Sequence, residues 1–139
     1  VITIRRTHEI AVGHRVFGHE SKCAHLHGHN YTFELVVTAS ALDDLGRVVD
    51  FSVLKSTVCE WLETHWDHKM LLWFADPLVQ VLTAAGEPVW IAPCNPTAEK
   101  LAAYVGEYVA PTVLPPAIRC VEVVVWETGK CSATWRVDA

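Results

Sequence analysis

Apolar residues in this chain recur first at every second position, then at helical spacing, then at every second position again. In residues 2–12, Ile2, Ile4, Ile10 and Val12 alternate with polar Thr3, Arg5 and Thr7, which predicts a half-buried strand. Residues 30–38 repeat the pattern, with Tyr31, Phe33, Leu35 and Val37 set against Thr32, Glu34 and Val36. Asp43, Asp44 and Gly46 break it. After Asp50 the spacing of Leu54, Val58, Trp61, Leu62 and His65 is helical, with Asp50 or Ser52 as the cap. A short apolar piece, residues 89–92, lies between two proline-containing stretches. Asn95 then reads as an N-cap and Pro96 as a first helical residue, followed by the stripe Leu101, Ala102, Val105 and Tyr108/Val109. Pro111, Pro115 and Pro116 are expected to end this helix. The valine-rich residues 118–127 and residues 131–137 form a hairpin around Thr128-Gly129-Lys130. Strand, strand, helix, helix, strand, strand predicts an α+β fold, an antiparallel sheet covered on one side by two helices. Without a repeat or linker, residues 1–139 read as a single domain.

Composition narrows the function. The chain is 51% apolar and only 19% charged, which excludes disorder and coiled coil. A net charge of −5 without a basic run argues against nucleic-acid binding. No apolar run approaches the roughly 20 residues of a membrane helix. Residues 1–6 carry no secretory or transit signature, and the five cysteines contain no Cys-x-x-Cys pair. A cytoplasmic location, and neither a thiolate zinc knuckle nor a redox dithiol, is therefore expected. The apolar surplus fits either an oligomer or a dense core holding six Trp.

Five of the eight histidines fall within residues 12–30: His14, His19, His25, His27 and His29. On a strand His25, His27 and His29 would project to one face, and His14 would come within reach if the two strands pair. Imidazoles gathered this way suit a zinc ion, and three ligands with an open fourth position suit catalysis. Spacing alone leaves either His14 or His25 as the third ligand. Cys23 is a candidate base, although a free thiol with a pKa of about 8.5 is only slightly ionised at neutral pH. Lys22, the metal or an imidazolium could supply the charge that activates it. Asp67-His68 pairs a carboxylate with an imidazole, as acid–base chemistry requires, and reads equally as an ordinary helix end. Glu127, at the end of a strand, could accept the paired N–H donors of an amidine-like ring edge or simply face solvent.

Taken together these blocks resemble the 6-pyruvoyl-tetrahydropterin synthase family, and within it the bacterial 6-carboxy-tetrahydropterin synthase branch of 7-deazaguanine (queuosine) biosynthesis. His14 matches the family's first zinc histidine, and His27-Gly28-His29-Asn30-Tyr31 its His-Gly-His-x-Tyr/Phe motif. Val49-Asp50-Phe51, Asp67-His68, Asn95-Pro96-Thr97-Ala98-Glu99 and Glu127-Thr128 match further blocks in the same order. The three residues between Cys23 and His27 are similar to the carboxy-tetrahydropterin branch. The chain departs from the family pattern at Ile10-Ala11-Val12-Gly13-His14 and at Met70-Leu71-Leu72-Trp73, and residues 75–94 are longer than in short members.

The resemblance implies a tunnelling fold, a four-stranded antiparallel sheet with two helices on one face. It implies a homo-oligomer, commonly a hexamer made of two trimers, with active sites between subunits. It also implies zinc held by His14, His27 and His29, and proton transfer by Cys23 and by Asp67-His68. Glu127 would anchor the pterin ring, with Thr97 a further substrate contact. The implied reaction converts 7,8-dihydroneopterin triphosphate, a small pterin triphosphate, into 6-carboxy-5,6,7,8-tetrahydropterin with release of acetaldehyde and triphosphate. Rival expectations are elimination to 6-pyruvoyl-tetrahydropterin, aldolase cleavage, a zinc-dependent hydrolase, and a non-catalytic zinc- or pterin-binding oligomer.

Overall fold

The structure, a computed structural model, describes residues 1–138. Its strands are β1 (Thr3–His14), β2 (His27–Ala39), β3 (Met70–Trp73), β4 (Val89–Ala92), β5 (Ile118–Trp126) and β6 (Ser132–Arg136). Helix α1 runs through the consecutive segments Phe51–Leu54, Lys55–Cys59 and Glu60–His65, and α2 is Leu78–Ala84. Helix α3 runs through Ala98–Tyr104, Val105–Val109 and Ala110–Val113. The middle segment of both α1 and α3 is a π turn.

The sheet order is β4-β3-β1-β2-β5-β6. Strands β1, β2, β5 and β6 pair antiparallel, giving the expected four-stranded unit. Two short strands extend it. β3 pairs parallel to β1 at Gly13 and His14, and β4 pairs parallel to β3. Parallel neighbours need a crossover, and α2 supplies it. Residues 75–94 therefore form a helix and a strand that widen the sheet beside His14.

Alternation in β1 and β2 gives the sheet one apolar face. Ile10, Val12, Tyr31, Phe33, Leu35 and Val37 are at most 3% exposed, as are Val123 and Val125 of β5. Leu54, Val58 and Leu62 of α1, with Trp66 just beyond it, pack on that face together with Leu101, Val105 and Val109 of α3. Each large side chain withdrawn from water there contributes about 2 kcal/mol. Strand β6 closes onto α3 through Trp135. A Cβ on Gly106 would lie 2.1 Å from Trp135 Cε3, so only glycine lets the indole lie against the helix.

The helix starts refine the sequence reading. Asp50 caps α1, its Oδ1 accepting from the Ser52 N–H at 2.8 Å. Thr97, not Asn95, caps α3, its Oγ1 accepting from the Lys100 N–H at 3.2 Å. Nor does Pro111 end that helix, which continues to Val113. The π turn before it widens the hydrogen-bond ladder, and a proline early in the next segment is tolerated because its missing N–H is not needed. No helix among the described residues is long and apolar enough to cross a membrane.

Candidate metal centre

The antiparallel register of β1 and β2 sets His14 opposite His27 and Val12 opposite His29. Residues opposite one another share a face, so all three imidazoles stand on the side that carries Ile10 and Tyr31. His14 is 1% exposed, at the end of β1 under the start of α3. Its Nδ1–H donates to the Pro96 carbonyl at 2.8 Å. His27 Nδ1–H donates to the His25 carbonyl at 2.7 Å. A carbonyl can only accept, so both rings carry their proton on Nδ1 and a bare lone pair on Nε2. These two Nε2 atoms face each other at 3.0 Å. His29 Nε2 is buried and has no hydrogen-bond partner. Two lone pairs facing each other beside an unpartnered imidazole nitrogen are relieved by a cation placed between them. The donor set, three imidazole nitrogens and a carboxylate, suits a zinc-like divalent ion.

The carboxylate is that of Glu127. Its Oε1 lies 3.4 Å from His14 Nε2 and 3.3 Å from His29 Nε2. The candidate ligand atoms of His14, His27, His29 and Glu127 all lie within 4.8 Å of one another. The Tyr31 hydroxyl stands 3.0 Å from His14 Nε2 and 3.4 Å from Glu127 Oε1. Burial, opposed by the hydrogen bond to Pro96 and aided by the neighbouring His27, lowers the His14 pKa to about 4. Burial also lowers that of His29. Both rings are therefore neutral near pH 7, the form that binds metal. The Tyr31 phenol is pushed well above its ordinary value, chiefly by burial and then by the Glu127 charge, so it stays a neutral donor.

His25 stands outside this cluster, exposed, and offers only its carbonyl to His27. Of the two histidines left open by spacing, the structure brings His14 into the cluster. Cys23 lies half-buried in the short helical turn Lys22–Ala24 between β1 and β2. It is near enough to Tyr31 for a negative charge on its sulfur to oppose ionisation of the phenol. Thr97 caps α3 one residue beyond the Pro96 carbonyl that orients His14.

Asp67 and His68 form a pair, with His68 Nδ1–H donating to Asp67 Oδ2 at 2.8 Å. Burial opposes ionisation of Asp67, but the hydrogen bonds from His68 and from the Ala11 N–H outweigh it and hold the carboxyl below the usual range. Asp67 Oδ1 accepts from Ala11 at 3.0 Å, and the His68 N–H returns a bond to the Ala11 carbonyl at 2.7 Å. The His68 backbone is left-handed, with φ of 57°, and its side chain is 80% exposed. It lines a cavity of about 580 Å³ with Ala11, Gly13, Gly28 and Asn30. Those four positions alternate with the metal-side ones, and although Val12 and His29 also border the cavity, most of its lining from β1 and β2 belongs to the opposite face. A single chain does not bring His68 into the histidine cluster. Sequence reasoning assigned Glu127 to substrate alone, and it missed the Pro96 carbonyl, a main-chain group that no motif displays. Tyr31 stood within the His-Gly-His motif, but nothing in the sequence gave its hydroxyl a partner.

Residues 3–138 match the 6-pyruvoyl tetrahydropterin synthase family. The chain belongs to this family. It is 34% identical over 113 residues to a 6-carboxy-5,6,7,8-tetrahydropterin synthase of Rickettsia felis, covering 80% of this chain and 82% of that protein. A protein of the same description from Aquifex aeolicus is 27% identical over 97% of this chain and 98% of its own length. Among solved structures, an uncharacterized protein of Wolinella succinogenes superposes with a TM-score of 0.84 at 19% identity, covering 99% of this chain and 98% of that one. The 6-pyruvoyl tetrahydropterin synthase of Caenorhabditis elegans superposes with a TM-score of 0.70 at 22% identity, over 99% and 96% of the two chains. The family's tunnelling fold, a curled antiparallel sheet with helices on one face, is the fold of this chain.

Proposed function

We propose that this protein converts 7,8-dihydroneopterin triphosphate and one molecule of water into 6-carboxy-5,6,7,8-tetrahydropterin, acetaldehyde and triphosphate. The convergence of three imidazole Nε2 atoms beside a carboxylate supports a metal-dependent reaction. The relatives named for the 6-carboxy product support that branch. His14, His27 and His29 would hold zinc, which when bound polarises the oxygens of the substrate side chain and makes the adjoining C–H acidic. Cys23, as thiolate, takes up and returns that proton. Glu127 occupies the cluster until substrate enters, then turns to accept the N–H donors of the pterin edge, and Thr97 contributes its hydroxyl near the same place.

The second acid–base group, Asp67-His68, must come from another copy of the chain, because its own lies outside the histidine cluster. Open strand edges support such an assembly. Among the described residues β1 pairs on its outer side only at Gly13 and His14, and β6 has no outer neighbour. Unpaired edges of this kind are templates for a second chain.

Incubation of the zinc-loaded protein with dihydroneopterin triphosphate, with every product identified, tests the proposal. Acetaldehyde in equal amount to the carboxylated pterin is expected. A 6-pyruvoyl product without acetaldehyde would assign the sister activity, and an untouched substrate would refute the reading.

A further inference from the structure

Asn95 does not cap α3, yet both polar atoms of its side chain are engaged. Oδ1 accepts from the Phe17 N–H at 2.9 Å, and Nδ2 donates to the Phe17 carbonyl at 3.0 Å. This is a two-point clamp on the main chain of one residue, and it fixes which way the carboxamide lies. Phe17 stands in the connection between β1 and β2, the stretch that carries Cys23. One residue before it, the Val16 N–H donates to the Cys23 carbonyl at 2.9 Å. One residue after Asn95, the Pro96 carbonyl orients His14. Two consecutive residues thus hold the strand connection that bears the thiol and the ring of a metal ligand.

The Phe17 ring rests near Trp73, and between Val16 and Cys23 the connection's other hydrogen bonds, Val16 to Cys23, His19 to Val16 and Ser21 to His19 among them, lie within the connection itself. Its regular structure is the single turn Lys22–Ala24, and Gly18 bends it with a φ of +91°. Its entrance is tied separately, Arg15 pairing with the buried Asp76 carboxylate. The Asn95 clamp is the pair of hydrogen bonds that ties the part beyond Arg15, where Cys23 lies, to the start of α3. A base must be held within hydrogen-bond reach of the proton it takes, and a displacement of about 1 Å can cost about 100-fold in rate. Taking the proposed role of Cys23 as its premise, we infer that Asn95 is a positioning residue whose carboxamide sets Cys23 beside the histidine cluster.

Asn95→Leu keeps the size of the side chain and removes both hydrogen bonds. Its zinc content should match the wild type, because the carbonyl on His14 belongs to the main chain of Pro96. Alkylation of Cys23 by iodoacetamide, resolved peptide by peptide by mass spectrometry, should accelerate about fivefold or more as the connection loosens. Cys131, exposed outside this connection, should keep its rate. The kcat should fall about 10- to 100-fold with KM changed less than about twofold. Unchanged Cys23 reactivity and kcat would overturn the inference, as would loss of zinc or a parallel change at Cys131. If Asn95→Leu does not fold, Asn95→Asp, which retains the acceptor and loses the donor, is read by the same measurements. A wild-type protein without turnover would refute the proposed reaction alone, since the alkylation rates still decide the clamp.

Discussion

At His14 and His27 the main chain chooses the tautomer: each Nδ1–H is taken by a carbonyl, and each Nε2 is left to bind. His25, two residues from His27, supplies one of those carbonyls and has no ring in the cluster. His27→Ala should therefore lose zinc, by more than the roughly 10- to 100-fold in affinity that removal of an outer partner costs. His25→Ala should retain it. Metal analysis after dialysis against a chelator separates the two, and zinc lost from both variants would assign the ligands wrongly. The buried rings also make the metal-free protein sensitive to acid. An unfolded His titrates near 6.5, whereas folded His14 does so at about 4, so between these values the unfolded chain binds the extra proton. Stability is fully present above about pH 6.5 and is lost as pH falls toward 4, by about 3 kcal/mol for His14, with His29 acting in the same direction. Urea unfolding of the stripped protein across that range measures the slope, and His14→Phe should flatten it.

The strands and the two long helices were legible at the scale of elements because each has one wet face, and a wet face writes its period into the sequence. Tyr31, Phe33, Leu35 and Val37 alternate as they do because they pack on α1 and α3. The apolar piece at residues 89–92 coincides with β4, but the four-residue strands β3 and β4 are too short to show a period and α2 buries none of its residues, so this extension of the sheet was not legible. Asn95 misled for a chemical reason: its carboxamide suits an N-cap as well as a main-chain clamp, and only the fold brings Phe17 to it. Of the candidate site, the three clustered histidines and Glu127 could be named in advance. The position of Glu127 beside the imidazoles depends on the pairing of β2 with β5, which no local pattern shows. Gly106 carries the most stringent local demand. A methyl there meets the Trp135 ring, the side of a rigid group and not the tip of a flexible one. Gly106→Ala should cost about 1–3 kcal/mol in thermal or urea unfolding, despite alanine's better helix propensity. A stabilised variant would show that β6 does not rest on α3.

For the whole molecule, the decisive fact is that His68 does not join the histidine cluster of its own chain. Cys23 lies in the connection between β1 and β2, while His68 lines the cavity beside Ala11, Gly13 and Gly28. Either the chemistry needs only one of them, or each active site joins Cys23 of one copy to His68 of another. The second possibility has a signature that no single-chain site can give. Cys23→Ala and His68→Ala should each be inactive alone and should each retain zinc, since neither residue belongs to the ligand cluster. When the two variants are unfolded together and reassembled in equal amounts, a site regains both groups only if its thiol comes from one variant and its imidazole from the other. With random assortment into a closed ring, about a quarter of the sites are then complete, so about a quarter of wild-type activity should return. Mixing the folded variants without exchange should restore none. If reassembly also restores none, while a wild-type control reassembles with full activity, thiol and imidazole act within the same chain, and a single variant that stays active would show instead that its residue is not required.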